Sequence, residues 1–284
     1  MSDLTYASSV LLGIVEGLTE FLPVSSTGHL TITEKLLGLQ VDAPEVTAYT
    51  AIIQLGAIAA TIVYFFKDIV RLLGAWFRGL ASAPARQEHD YSLAWAVIVG
   101  SIPVAVVGLA LKNVIEGPLR SLWVVAVALI LWSAVMWVAE SRHAKLLKED
   151  GERGEGTVTV RDGLVLGLVQ CLSLVPGVSR SGATISAGLF RGLDRVTATR
   201  LSFFMAIPAL TAAGLYEAAK TDLSGLGKGE MGVGILVAFL VAYASIAWLL
   251  RFVATNTLRP FVYYRVALGV VLIVILATNV LSAT

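Results

Sequence analysis

Twice in this chain an apolar stretch is interrupted by the same short polar phrase, first Val24-Ser25-Ser26-Thr27-Gly28 and then, about 150 residues later, Val178-Ser179-Arg180-Ser181-Gly182. Hydrophobic residues make up 57% of the 284 and charged residues 14%, with a mean hydropathy of +0.81, a balance that soluble domains do not have. The apolar runs are long and do not alternate, so an all-α membrane protein is expected rather than a barrel. Polar backbone at membrane depth survives only where it is buried in protein or lines a wet cavity. Two such interruptions therefore predict one shared polar site. The single cysteine, Cys171, excludes an intrachain disulfide and a cysteine zinc cluster. No basic patch with interleaved aromatics points to nucleic acid. No positive segment precedes the first apolar run, so a cleaved signal peptide is not expected.

The polar phrases belong to a longer internal repeat. Gly13 and Gly17 match Gly163 and Gly167, Gly17-Leu-Thr-Glu-Phe-Leu22 matches Gly167-Leu-Val-Gln-Cys-Leu172, and Val46-Thr47-Ala48 matches Val196-Thr197-Ala198. Four landmarks in the same order at a near-constant offset indicate duplication. The halves are residues 1–140 and 161–284, joined by a hydrophilic cytoplasmic linker at 141–160. Each half begins with two short apolar helices, 7–22 and 29–37, then 161–175 and 183–192, broken by the hydroxyl phrase and by Pro23 or Pro176-Gly177. A span needs roughly 20 apolar residues, so each pair reads as a re-entrant hairpin. Three full spans follow in each half, 48–66, 93–111 and 122–138, then 201–219, 232–252 and 261–280, with Pro103 and Pro208 expected to kink theirs. An odd number of spans per half inverts the second half relative to the first. That architecture places a site at the midplane between broken helices. The Gly-xxx-Gly pairs in both copies predict close helix packing.

Charge orients the bundle. Lys67, Arg71, Arg78, Arg86, Arg142, Lys145, Lys148, Arg153, Arg161, Arg191, Arg195, Arg200, Arg251, Arg259 and Arg265 fall at one set of ends. Only Lys35, Lys112, Arg120, Lys220 and Lys228 fall at the other. The positive-inside rule makes the first set cytoplasmic and both termini periplasmic. His89 and His143 then lie in solvated cytoplasmic loops.

The remaining polar residues carry the chemistry. Glu16 and Glu20 are one helical turn apart and share a face. Each ionised carboxylate in the membrane costs roughly 2.5–3.5 kcal/mol or more, so function is the default reading. Beside an anionic ligand they need a cation between, and Mg²⁺ is typically held by one or two carboxylates plus substrate phosphates. Ser25, Ser26, Thr27 and Gly28 open a helix, where capping accounts for one hydroxyl and a phosphate cradle for the rest. Ser26, His29 and Glu20 fit the roles of nucleophile, base and orienting group. His29 attacking phosphorus itself or protonating the leaving group stays open, as do direct attack by activated water and general-base work by Glu16 or Glu20. Arg180, between Ser179 and Ser181, needs an anionic partner, either a bidentate phosphate or an internal bridge to Glu16 or Glu20. Thr184 adds a hydroxyl to the following helix, Gln54 lines the cavity or bonds a neighbouring helix, and Gln170 replaces Glu20 in the second copy.

Glu16-Gly-Leu-Thr-Glu20-Phe-Leu-Pro-Val-Ser-Ser-Thr-Gly-His29 and Pro176-Gly-Val-Ser-Arg180-Ser-Gly-Ala-Thr184 closely resemble the motifs of the bacterial undecaprenyl-diphosphate phosphatases, also called bacitracin-resistance proteins. The resemblance extends over essentially the whole chain. It implies an inner-membrane phosphatase that removes the terminal phosphate of undecaprenyl diphosphate with a divalent cation, Mg²⁺ or alternatively Ca²⁺. Its motif residues carry over onto Glu16, Glu20, Ser25, Ser26, His29, Ser179, Arg180 and Thr184. Expected partners are a polyprenyl diphosphate and the bilayer, with monomer and homodimer both open. A flippase of the same class of lipid is the alternative, and a cation channel is disfavoured because Arg180 would oppose cations.

Overall fold

The computed structural model describes residues 4–41, 43–117, 119, 121–149, 151–220 and 227–278. Within them the chain forms α1 (Tyr6–Thr19), α2 (Ser26–Leu36), α3 (Pro44–Tyr64), α4 (Phe66–Ala81), α5 (His89–Ala110), α6 (Lys112–Glu116) and α7 (Leu122–Glu149). It continues with α8 (Val160–Gln170), α9 (Arg180–Phe190), α10 (Arg195–Lys220), α11 (Lys228–Thr255) and α12 (Arg259–Ala277). The one β feature among the described residues is an isolated bridge between Arg153 and Leu193. Six helices, α3, α5, α7, α10, α11 and α12, are long and apolar enough to cross a membrane. They coincide with the six expected spans. The last expected span reached residue 280, and its end lies outside the described residues, as does Arg120.

The short helices start alike. Thr5 caps α1 and Thr159 caps α8, each through a reciprocal bond with the residue three positions on, Ser8 and Asp162. This satisfies backbone N–H groups that a helix end leaves bare. The two helices then pack across the halves: α1 lies on α11 and α8 on α5, while α3 pairs with α10 and α7 with α12. The repeated glycines make this possible. A methyl group added at Gly163 would lie 2.1 Å from the Ala96 carbonyl oxygen, and at Gly167 2.2 Å from that of Gly100. At Gly13 and Gly17 the corresponding oxygens, of Gly234 and Ala238, are at 2.8 and 2.7 Å. Backbones this close leave room only for hydrogen.

Four expectations are corrected. Helix α4 falls where no helix was expected. Its 16 residues are too few for a span, and Phe66, Val70, Leu73, Phe77 and Leu80 form an exposed apolar stripe beside Lys67, Arg71 and Arg78. That pattern suits a membrane surface, which a search for unbroken apolar runs overlooks. Helix α7 runs on to Glu149, because the residues expected to begin the linker continue the helix in a polar register. His143 is fully buried rather than solvated, its Nε2 3.0 Å from a Glu152 carboxylate oxygen. Arg265 is also fully buried, in the bundle interior and not among the end-face cations.

The remaining basic end is knitted by ion pairs. Arg71 bonds Asp68, Asp90 and Glu155, and Arg200 bonds Asp68 at 2.9 Å and Glu155 at 2.7 Å. Arg153 and Arg191 converge on Asp162 at 2.7 and 2.8 Å. Burial opposes the charge on Asp162, but the Arg153 guanidinium, the Thr159 backbone N–H and the Arg191 guanidinium together hold its carboxyl well below the usual carboxylate range.

Candidate active site

Ser25 and Ser179 are the only non-glycine residues with positive φ among those described, at 77° and 78°. Such a conformation costs about 1–3 kcal/mol and persists only where its surroundings fix it. Each serine caps the helix it precedes. Ser25 Oγ accepts from the Gly28 N–H and Ser179 Oγ from the Gly182 N–H. The turns also hold each other. The Gly177 N–H donates to Ser25 Oγ at 3.1 Å, and Ser181 Oγ donates to the Leu22 carbonyl at 3.0 Å. The strain is thus supported by bonds spanning more than 150 residues of sequence.

This interlock brings the N-termini of α2 and α9 to one cavity of about 510 Å³. Its polar part is lined by Glu20, Ser25, Ser26, Thr27, Gln54, Gln170, Ser179 and Arg180. Its apolar wall comes mainly from α5 and α10, including Val104, Leu109, Leu210 and Ala213, with Lys112 lying over the Tyr216 ring at 4.7 Å. The cavity therefore joins a polar pocket to an apolar slot.

Glu20 is the hub. One carboxylate oxygen accepts from Ser26 Oγ at 2.5 Å and from Gln54 Nε2 at 3.5 Å. The other accepts from Arg180 Nη2 at 3.2 Å. Arg180 Nη1 donates to the Ser202 carbonyl at 2.8 Å, while its Nε has no partner. The anionic partner of Arg180 here is thus Glu20. Gln54 both lines the cavity and bonds its neighbour.

Glu16 lies behind this hub, fully buried, with neither carboxylate oxygen hydrogen-bonded. A buried carboxylate is normally paired or metal-bound. No cluster of three or more His, Cys, Asp or Glu side chains converges among the described residues. The two unbonded oxygens of Glu16, with Glu20 nearby, are the donor type that a divalent cation such as Mg²⁺ takes.

His29 does not bond Ser26. Its Nδ1 lies 2.7 Å from the Ser25 carbonyl oxygen and its Nε2 2.6 Å from the Tyr264 hydroxyl. A carbonyl can only accept, so Nδ1 carries a proton, and in the neutral ring Nε2 accepts from Tyr264. The imidazole steadies the strained turn, and the carboxylate of Glu20 is the base within reach of Ser26. Ser181 and Thr184 are likewise turned into the protein. Ser181 bonds Leu22, and Thr184 bonds the Arg180 carbonyl at 2.9 Å and Ser202 Oγ at 2.6 Å. Gly28 packs against Val125. These three, with Glu16 and His29, do not line the cavity.

Ser202 and Tyr264 lie in apolar spans without a motif, so nothing in the sequence marks them, and Arg265 reads there as an end-face cation. Sequence reasoning gave Gln170 no ligand role, yet both polar atoms of its side chain are unpartnered at the cavity wall.

Residues 9–271 match the profile of the family described as bacitracin resistance protein BacA. The chain is 54% identical over 285 residues to "Undecaprenyl-diphosphatase 1" of Streptomyces avermitilis, covering 99% of this chain and 100% of that protein. It is 53% identical over 290 residues to "Undecaprenyl-diphosphatase" of Cutibacterium acnes, with 99% and 100% covered. It is 55% identical over 279 residues to "Undecaprenyl-diphosphatase 3" of Frankia casuarinae, with 97% and 98% covered.

Proposed function

The chain belongs to the bacitracin resistance protein BacA family, and on that premise we infer that it is an integral membrane undecaprenyl-diphosphatase. It hydrolyses undecaprenyl diphosphate to undecaprenyl phosphate and inorganic phosphate. The product is the lipid carrier recycled in cell-wall synthesis, and the activity fits bacitracin resistance. Full-length similarity to named phosphatases favours the enzyme over a flippase. One observation carries the assignment of roles: Glu20 joins Ser26 to Arg180 inside a cavity that continues into an apolar slot.

In the proposed mechanism the diphosphate lies against Arg180, Thr27 and the N-termini of α2 and α9, displacing part of the Arg180–Glu20 bridge. The isoprenoid follows the α5–α10 wall. Ser26 Oγ attacks the terminal phosphorus and passes its proton to Glu20. The bond from that phosphorus to the bridging oxygen breaks, and undecaprenyl phosphate leaves. Water then attacks the phosphoserine, releasing inorganic phosphate and restoring the Ser26 hydroxyl. A divalent cation, Mg²⁺ with Ca²⁺ as the alternative, would be held by Glu16 and Glu20 and would neutralise phosphoryl charge. Phosphoryl transfer depends mostly on such positioning and neutralisation.

Purified protein in detergent is expected to release phosphate from a polyprenyl diphosphate, to lose that activity in EDTA and to regain it with Mg²⁺. Lipid movement in sealed vesicles without phosphate release would support the flippase instead. Unchanged activity after exhaustive chelation would remove the cation.

The same reading places the chain in the bacterial inner membrane with periplasmic termini and an inverted second half. The abundance of Arg and Lys at one end of the bundle supports this. A cysteine placed at Gln87, with Cys171 replaced by serine, should react with an impermeant maleimide only after the cytoplasmic side is opened. Labelling of intact cells would reverse the orientation.

A further inference from the structure

Arg265 has no assigned part in the reaction, yet its surroundings are unusual for a membrane span. It projects from α12, is fully buried, and no carboxylate pairs with it among the described residues. Its Nη1 donates to the Pro23 carbonyl at 3.2 Å and its Nη2 to the Gly177 carbonyl at 2.8 Å. Pro23 stands two residues before Ser25, and Gly177 two residues before Ser179. One guanidinium thus holds the same carbonyl in both strained turns. Its remaining bonds, from Nε to Ser133 Oγ at 3.1 Å and from Nη2 to the Leu129 carbonyl at 3.4 Å, anchor it to α7.

We infer that Arg265 is a positioning residue that fixes the register between the two motif turns, and so between Ser26 on one and Arg180 on the other. The inference rests on the roles given above to those two residues. An unpaired buried cation carries a large desolvation cost, so it is a poor device for stability alone. The planar fork, in contrast, can bond two carbonyls at once, which a lysine ammonium does with less geometric control. Reacting groups must be held closely, and a misplacement of about 1 Å costs on the order of 100-fold in rate. The two turns reach the cavity from opposite halves of the sequence. Their direct cross-bonds are two neutral hydrogen bonds, Gly177 to Ser25 and Ser181 to Leu22, and the Arg180–Glu20 ion pair that the substrate would partly displace, and Arg265 adds charge-assisted bonds to both turns.

The test compares Arg265→Met and Arg265→Lys with the parent protein in detergent, reading kcat and KM for phosphate release together with the thermal midpoint. Arg265→Met is expected to lower kcat by about 100-fold, the rate cost of roughly 1 Å of misplacement. Its KM should stay within a few-fold, because the apolar slot and Arg180 remain, and its midpoint should change little. Arg265→Lys, which keeps the charge but not the fork, should recover part of the loss in kcat. Parent-like kcat in either folded variant would overturn the inference. So would a loss of kcat that comes with a raised KM and a lowered midpoint, the pattern of a merely structural residue. If the Met variant does not fold, kcat and KM of the Lys variant decide alone. An inactive parent would instead overturn the phosphatase reading, so the two failures are distinguishable.

Discussion

Replacing Ser26 by alanine is expected to lower turnover by a factor on the order of 10⁴ or more, the scale of losing a covalent nucleophile. The expectation follows from one bond, Ser26 Oγ to Glu20 at 2.5 Å, which pairs a hydroxyl at a helix N-terminus with a carboxylate able to take its proton. Substrate binding should be nearly unchanged. Arg180 remains, the apolar wall remains, and Glu20 keeps its bonds to Arg180 and Gln54. The measurement is steady-state phosphate release alongside binding of the intact diphosphate lipid. A phosphorylated peptide containing Ser26 should be trapped by acid quench in the parent and be absent from the variant. Turnover of Ser26→Ala within tenfold of the parent would make water the attacking group. Glu20 would then activate that water in the place the hydroxyl vacates.

Arg180→Ala is expected to lower kcat/KM by about 10³–10⁵, as for other arginines that meet a transferring phosphoryl group. Two losses combine. The phosphoryl oxygens lose a bidentate cationic donor, and Glu20 loses the charge that balances it in a buried site. Arg180→Lys should recover only part, because an ammonium restores charge without the fork. The double variant Arg180→Ala, Glu20→Gln separates the two losses in kcat/KM and in thermal midpoint. If the midpoint falls in Arg180→Ala and returns in the double variant while activity stays lost, the guanidinium acts on substrate as well as on Glu20. Kinetics of Arg180→Ala equal to the parent's would remove the phosphate clamp.

Much of this site could be read from the chain. Glu16, Glu20, Ser26 and Arg180 stand out because charge and clustered hydroxyls are costly within apolar stretches. The glycine pairs announced close packing, and the structure gives each a carbonyl oxygen at contact. His29 was harder. Its spacing from Ser26 allowed a bond, but the imidazole turns to the Ser25 carbonyl and to Tyr264, a residue 235 positions away. Ser181 and Thr184 look like ligand hydroxyls in a motif and serve instead as cross-ties. Arg265 looked like one more cation near a loop, because nothing local distinguishes a span residue that points inward from one that points out.

Composition and order along the chain determined that it would be helical with six membrane-length apolar helices, and which chemical groups would lie near its broken helices. These follow from local rules, the length of an apolar run and the cost of bare polar groups in lipid. Tertiary structure alone decided which hydroxyl faces Glu20, which acid stands unpartnered behind it, and which arginine grips the turns rather than the substrate. At a turn, the direction of a side chain is set by a strained backbone angle, and that angle is held in place by partners from the far half of the sequence.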